Sequence, residues 1–223
     1  MFSHIARSYD LTNTVLSLGL DRYWRRRTVE LMSIHPGDSV LDVACGTGKL
    51  LLEEARVVGL GGSVTGADFC QPMLDIARHN IAHTPYAGKI TLVNTNALAL
   101  PFPAASFAAA SIGFALRNVP DIPATIAEMA RVVCPGGRVA ALEIAKPTLP
   151  ILRQLFFLHF NHVVPLIGRL ISGSDEAYHY LPQSLGPLPN PEAIRRTFTN
   201  VGLQNAQCAK LSGGMVTVHV GTV

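Results

Sequence analysis

Two glycines and an acid have the spacing of a nucleotide-binding loop. The segment "VLDVACGTGKL" (40–50) passes from an apolar run, through Gly46 and Gly48, into a run with helical spacing. Glycine lets the backbone turn tightly and approach a ligand, and the first amide groups of the next helix attract polar ligand groups. Asp68 follows the next apolar run, 22 residues after Gly46, close to the roughly 20 expected for an acid that binds ribose hydroxyls. Leu51 occupies the place of the third glycine of a dinucleotide site, which argues against a dehydrogenase.

A second polar pair, Arg117 and Asn118, stands where the apolar run "FAAASIGFAL" (107–116) ends. A buried strand does not need a guanidinium at its end, so the pair either leaves the core for water or faces a ligand. A guanidinium beside a ligand oxygen would stabilise negative charge that develops there. In the structural alternative, Arg117 caps a helix or pairs with an acid such as Asp121. His219, in a closing apolar run, leaves a similar choice between proton transfer and simple burial.

Strand-like and helix-like runs alternate along most of the chain. Strands are predicted over 39–43, 63–68, 90–95, 107–112, 138–144, 205–211 and 214–221. Helices are predicted over 48–58, 71–83, 121–133 and 191–203. This alternation predicts an α/β fold with a doubly wound, mostly parallel sheet that is covered on both faces. Ligands of such sheets bind beyond the carboxyl ends of the strands, where Arg117 and Asn118 are expected.

We expect a single domain of 223 residues, and two of its segments depart from the alternation of strands and helices. Residues 1–35 predict an N-terminal helical cap. Residues 146–190 predict an inserted helical lid on the substrate side, before the last strands, rather than a second domain. Its apolar segment 149–170 would cover an apolar substrate, touch a membrane, contact a second copy in a homodimer, or only pack into the core.

The composition excludes several classes of protein. Hydrophobic residues make up 48% of the chain and charged residues 15%, which excludes disorder. A net charge of +3 is too small to indicate nucleic acid as a partner. The four cysteines lack the spacing of metal ligands, so we expect no metal and a cytoplasmic protein with reduced thiols. Five arginines in the first 27 residues either meet anionic lipid at the inner face of the cell membrane or form a solvated helix face. Charged residues and a proline within the apolar segment 149–171 argue against a membrane-spanning helix there.

The glycine loop and the segments after the second and third strands resemble the S-adenosylmethionine site of class I methyltransferases, with their Rossmann-like fold. The matching stretches are "VLDVACGTG" (40–48), "GADFCQPMLDIA" (66–77) and "TNALALPFP" (95–103). The resemblance implies that Asp68 holds the ribose hydroxyls and that Met73 packs near the adenine. Asn96, with Ala97 beside it, would meet the adenine amino group, although a turn-forming role for Asn96 is the alternative. The methionyl portion would lie among Asp42, Ala44, Gly46, Thr47 and Gly48, near Gly113.

Four further stretches are similar to the quinone-biosynthesis C-methyltransferases, which act on demethylmenaquinol or on a ubiquinol precursor. These stretches are "YDLTNTVLSLGLDRYWRR" (9–26), "GFALRNV" (113–119), "EAYHYLPQS" (176–184) and "LSGGMVTVHVG" (211–221). The similarity implies that Tyr9, Tyr178 and Tyr180 lie on the substrate side. The chain departs from the family pattern at Lys49, which replaces the usual acid after the glycine loop, and also at Cys134 and Ala145.

The resemblance implies methyl transfer from S-adenosylmethionine to a ring carbon of a prenylated quinol, with demethylmenaquinol as the first expected acceptor. An aromatic carbon attacks the sulfonium methyl only when the ring is electron-rich, so the quinol must lose, or begin to lose, a phenolic proton. Arg117 would then stabilise the phenolate and Asn118 would orient the hydroxyl, while His219 or a water would carry the proton. A ubiquinone precursor or another apolar small molecule is the alternative acceptor.

Overall fold

The computed structural model describes residues 10–147, 150–158 and 188–223. Seven strands form one sheet in the order β3-β2-β1-β4-β5-β7-β6. They are β1 (Ser39–Val43), β2 (Ser63–Asp68), β3 (Ile90–Asn94), β4 (Phe107–Gly113), β5 (Val133–Ile144), β6 (Gln204–Leu211) and β7 (Val216–Thr222). Strands β1 to β5 run parallel, and β7 runs antiparallel to both β5 and β6. The strand order reverses beside β1, so a crevice is expected at the carboxyl ends of β1 and β4.

Helices follow the strands in the alternating pattern that the sequence predicts. They are α1 over residues 10–16, α2 (Leu20–Met32), α3 (Lys49–Val58), α4 (Gln71–Ala82), α5 (Ile122–Val132), α6 (Pro150–Leu158) and α7 (Pro191–Asn200). Two helices have side-chain caps, since Asp121 accepts the N–H of Ala124 and Asn190 accepts the N–H of Ala193. A proline in the first turn of each helix needs no such partner, so both starts are encoded locally.

The sheet is buried on both faces, as the predicted doubly wound fold requires. On one face, α2, α3 and α4 cover a core that includes Met32, Val40 and Leu51. On the other face, α5 and α7 cover a core that includes Leu41 and Phe198. Val40 and Leu41 are neighbours in β1 and are both fully buried, each on its own face. The central strands β1 and β4 are therefore mostly continuous apolar runs rather than alternating ones.

The predicted strands and helices agree with the structure to within a few residues, except at the start of β5. This strand begins at Val133, whereas the sequence predicts a start at 138. Val133 pairs with Phe107 and Arg138 pairs with Ala109, so four residues of β5 lie opposite one residue of β4. Gly136, with a φ of 82°, allows the irregular backbone between these pairs.

The two segments that depart from the alternation of strands and helices are described only in part. Within the predicted cap, α1 and α2 are helical; within the predicted lid, α6 is helical. Residues 1–9, 148–149 and 159–187 lie outside the described residues, and Tyr9, Tyr178 and Tyr180 are among them. Of the helices that the structure describes, none has both the length and the apolar character needed to cross a bilayer.

Candidate active site

A pocket lies at the carboxyl ends of β1 and β4, where the strand order reverses. Its walls come from the glycine loop, the start of α3, the end of β4 and one side chain of α2. The lining residues are Arg25, Asp42, Ala44, Cys45, Gly46, Thr47, Lys49, Leu50, Gly113 and Phe114. Most of the residues predicted to surround a methionyl group thus meet in one place. Gly48 does not line the pocket, because a Cβ there would contact the Ala77 side chain of α4 at 3.5 Å.

The glycine loop presents open backbone to this pocket. Gly46 has a φ of 56°, and a Cβ at that position would have no atom within 4 Å. Gly48, with a φ of 83°, precedes the first residue of α3 and provides no side-chain cap. Both backbone conformations favour glycine. The loop therefore leaves room for a ligand close to the first turn of α3.

Asp68 joins the loops that follow β1 and β2. Its Oδ2 accepts the N–H of Gly46 and its Oδ1 accepts the N–H of Cys70, each at 2.8 Å. Burial raises the pKa of this carboxyl, and the hydrogen bonds from Cys70 and Gly46 oppose the rise. A carboxylate has about four acceptor sites, so a ribose hydroxyl can still donate to Asp68. Its position suits the predicted ribose contact.

The residues predicted to contact the adenine follow β2 and β3 at the same edge of the sheet, and they do not line the pocket. Met73 is buried in the first turn of α4, beside Cys70. Asn96 follows β3 and is exposed, and its Oδ1 accepts the N–H of Leu98 at 2.9 Å. This bond is the turn-forming role that the sequence left as the alternative. Ala97 is half-buried beside it.

Beneath the pocket, two buried carboxyls share one hydroxyl. Ser111 Oγ lies 3.1 Å from Asp42 Oδ1 and 2.6 Å from Glu54 Oε1. One hydroxyl has one proton to donate, so the second short contact requires that a carboxyl donates its own proton to Ser111. Burial raises the pKa of Glu54 to about 7, although the hydrogen bond from Ser111 opposes the rise. Burial, and next the charge of Glu54, raise the pKa of Asp42 well above its usual range. The pair therefore holds a shared proton near neutral pH.

Glu54→Gln is expected to make the protein less sensitive to alkaline pH. The folded-state pKa of Glu54 is raised from 4.5 to about 7, so its contribution to stability is complete below pH 4.5 and is lost as the pH rises through 7. Glutamine mimics the protonated acid and loses no proton, so the variant should gain on the order of 3 kcal/mol relative to the parent between pH 5 and pH 8.5. Denaturant unfolding at both pH values measures this gain.

Glu53→Gln is the matched control, because Glu53 is the neighbouring acid and pairs at the surface with Arg26 and Arg56. Its free energy of unfolding should follow the parent curve. A Glu54→Gln curve parallel to that of the parent would show that Glu54 does not hold the proton.

Arg117 is held by a buried acid that the sequence analysis did not single out. Its Nη1 lies 2.5 Å from Glu143 Oε1, and the Arg117 and Glu143 side chains are 6% and 0% exposed. The backbone N–H of Arg117 also approaches Glu143 Oε2, at 3.4 Å. Asp121, the acid named in the structural alternative, instead caps α5. Arg117 Nε is buried and has no hydrogen-bond partner in the described part of the protein. The pair stands at the ends of β4 and β5, with Asn118 in the same turn (Leu116–Asn118).

The structure does not bring His219 to the pocket. Its ring is fully buried in β7, 6.1 Å from the ring of Phe198 on α7. Nε2 lies 2.9 Å from the carbonyl oxygen of Pro191. Burial lowers the pKa of His219, while the backbone hydrogen bonds to Pro191 and Ala141 oppose this change. These surroundings suit a neutral core imidazole, the structural alternative of the sequence analysis.

Comparisons with known proteins agree with this fold and show the family of the chain. The profile of the ubiE/COQ5 methyltransferase family matches residues 1–223. The demethylmenaquinone methyltransferase of Desulfitobacterium hafniense is 41% identical over 220 residues, which cover 99% of this chain and 87% of the relative. The enzyme of the same name from Shouchella clausii is 38% identical over 221 residues, covering 99% and 94%. Among solved structures, a SAM-dependent methyltransferase from Aquifex aeolicus has a TM-score of 0.68 at 14% identity, over 92% of each chain.

These findings confirm three predictions made from the sequence. The fold is the predicted Rossmann-like fold of class I methyltransferases. The chain is an enzyme, a methyltransferase, and its cofactor is S-adenosylmethionine. The match to the family extends over residues 1–223. This chain belongs to the ubiE/COQ5 methyltransferase family.

Proposed function

We propose that this protein transfers a methyl group from S-adenosylmethionine to a ring carbon of demethylmenaquinol, in menaquinone biosynthesis. The observation that carries the proposal is the match, over 99% of the chain, to relatives named demethylmenaquinone methyltransferase. The pocket supports it, because its open glycine loop is joined to Asp68 through the N–H of Gly46, which brings a backbone cradle and a carboxylate to one edge of the sheet.

S-adenosylmethionine supplies an electrophilic methyl group on a sulfonium. In this chain, Asp68 would hold the ribose hydroxyls, and the loop from Ala44 to Thr47 would accommodate the methionyl portion. Met73, Asn96 and Ala97 would surround the adenine from the next loops of the edge. Each of these contacts fixes the donor, and alignment of donor and acceptor is the main source of rate acceleration that such a site offers.

The acceptor would lie beyond the end of β4. Glu143 fixes the guanidinium of Arg117, which leaves its remaining N–H groups to stabilise charge on the phenolic oxygen. An arginine stays protonated, so it does not act as the base itself. We assign the proton to a water, since the surroundings of His219 do not support a role in the pocket. Asn118 would orient the hydroxyl, and contacts from Tyr9, Tyr178 and Tyr180 stay predictions from the family resemblance.

A direct assay tests this function. Purified protein, S-adenosylmethionine and demethylmenaquinol in EDTA should give menaquinol, identified by a mass increase of one methyl group. EDTA should not lower the rate, because methyl transfer from a sulfonium needs no Lewis acid. The described residues contain no group of three or more His, Cys, Asp or Glu that would hold a metal. Methylation of a ubiquinone precursor in preference to demethylmenaquinol would contradict the proposal.

Contact with a membrane surface, where a prenylated quinol resides, also belongs to the proposal. Leu11 on α1, Leu18 in the turn before α2 and Tyr23 on α2 are exposed, and Arg22 and Arg26 are exposed near them. Apolar and cationic side chains together suit an anionic lipid surface. The assay should therefore run faster when the quinol is supplied in vesicles that contain anionic lipid. The predicted homodimer contact through 149–170 falls largely outside the described residues and stays a prediction.

A further inference from the structure

The pocket lining contains two cations to which the proposed function gives no task. Arg25 comes from α2, and Lys49 is the first residue of α3. Their side chains are 11% and 29% exposed. Lys49 is also the residue that departs from the family pattern, which has an acid after the glycine loop. The departure thus adds a positive charge to the wall of the pocket.

Neighbouring groups hold both cations in place. Lys49 Nζ lies 3.1 Å from Thr14 Oγ1 and 3.2 Å from the carbonyl oxygen of Asp10. It also pairs with the carboxyl groups of Asp10 at 3.7 Å and Asp21 at 3.9 Å. Arg25 Nη1 lies 2.5 Å from Asp21 Oδ2, and the guanidinium carbon is 5.5 Å from the centre of the Phe114 ring. A guanidinium held by an acid and by an aromatic ring is oriented before a ligand arrives, so less entropy is lost on binding.

The same lining contains a carboxyl, that of Asp42. Oxygens of the Asp42 carboxyl can accept hydrogen bonds from an ammonium group, and the two cations can bind an anion; an α-amino acid group is a zwitterion that carries both. Its carboxylate is the part that guanidinium and ammonium groups bind well, through charge-assisted hydrogen bonds. The glycine loop brings the ligand close to both cations, because Gly46 and Thr47 line the pocket with them.

We propose that Arg25 and Lys49 form the subsite for the carboxylate of the donor's amino-acid end. This inference rests on the proposed function, which supplies the identity of the donor. Lys49 then determines specificity, since it selects a donor that retains its carboxylate. The competing role is structural: Lys49 would only attach α1 to the glycine loop, next to the 2.7 Å hydrogen bond that Thr47 Oγ1 donates to Asp10.

Two ligands separate these roles: S-adenosylmethionine and its decarboxylated form, which keeps the sulfonium and the ammonium. Calorimetry should show that the parent protein binds the complete molecule at least 30-fold more tightly. Lys49→Met should weaken its binding about 10- to 100-fold, as expected for one charge-assisted hydrogen bond. Binding of the decarboxylated form should change less than about two-fold. Arg25→Lys keeps a cation beside Asp21 but loses the planar fork of the guanidinium. It should weaken binding of S-adenosylmethionine less than Lys49→Met does, and it should likewise leave binding of the decarboxylated form nearly unchanged.

Arg56→Met is the control, because Arg56 lies in the last turn of α3, pairs with Glu53 and does not line the pocket. It should leave both affinities unchanged, and thermal unfolding checks that every variant is folded. Equal losses for both ligands in Lys49→Met would overturn the inference in favour of the structural role, as would a parent protein without preference. If the parent protein binds neither ligand, the proposed function fails, and this inference fails with it.

Discussion

Arg117→Ala is expected to lower turnover by about 10²–10³, the range observed when one donor to a developing oxyanion is removed. Negative charge on the phenolic oxygen grows on the way to the transition state, so the guanidinium contributes more there than in the ground state. Quinol binding should therefore weaken less than turnover falls. Affinity for S-adenosylmethionine should stay close to that of the parent, because Arg117 does not line the pocket of the glycine loop. Initial rates at several quinol concentrations, with calorimetry of the cofactor, measure these quantities.

The buried partner of Arg117 complicates this experiment. Removing the guanidinium leaves the carboxylate of Glu143 unpaired at 0% exposure, and breaking a buried pair costs about 3–5 kcal/mol of stability. A double variant, Arg117→Met with Glu143→Gln, removes both charges together and should restore most of that stability. We expect it to fold, to bind S-adenosylmethionine and to remain slow. Recovery of turnover in the double variant would show that Arg117 acts only through stability.

The glycine loop could be predicted from the sequence because its information is local. Gly46, Thr47 and Asp42 lie within a few residues of each other, and the backbone conformation of Gly46 depends on its own lack of a side chain. The position of Asp68 beside this loop could be predicted for a related reason, since the carboxyl ends of neighbouring parallel strands meet at one edge of the sheet. The sequence therefore predicted that the glycine loop and Asp68 meet at one edge of the sheet, and their contacts with the cofactor stay predictions.

The partner of Arg117 could not be predicted in the same way. Glu143 is 26 residues away in sequence, and the two meet because β4 and β5 are neighbours in the sheet. The one available indication was an acid within the apolar run "RVAALEI". The position of His219 away from the pocket could not be predicted for a different reason: β7 is buried on both faces, so apolar periodicity does not reveal which face a polar residue occupies.

Asp68→Asn is expected to weaken binding of S-adenosylmethionine by 10-fold or more, because charge-assisted hydrogen bonds contribute roughly 1.5–3 kcal/mol each. Asparagine keeps the size of the side chain and one acceptor oxygen, whereas alanine would also leave the N–H groups of Gly46 and Cys70 without their partner. Calorimetry measures the change. Unchanged affinity would remove Asp68 from the ribose site, and binding of NADH as tight as that of S-adenosylmethionine would overturn the cofactor assignment.

A change in the ligand separates the ribose contact of Asp68 from its role in the loop. The 2′-deoxy analogue of S-adenosylhomocysteine lacks one of the two hydroxyls that Asp68 is proposed to hold. The parent protein should bind S-adenosylhomocysteine more tightly than this analogue. Asp68→Asn should reduce that preference, because the 2′-hydroxyl of S-adenosylhomocysteine no longer has a carboxylate to donate to. If Asp68 only organises the loop by accepting the N–H groups of Gly46 and Cys70, the variant should weaken both ligands by the same factor. The ratio of the two affinities, which does not depend on the fraction of active protein, therefore decides between the two roles.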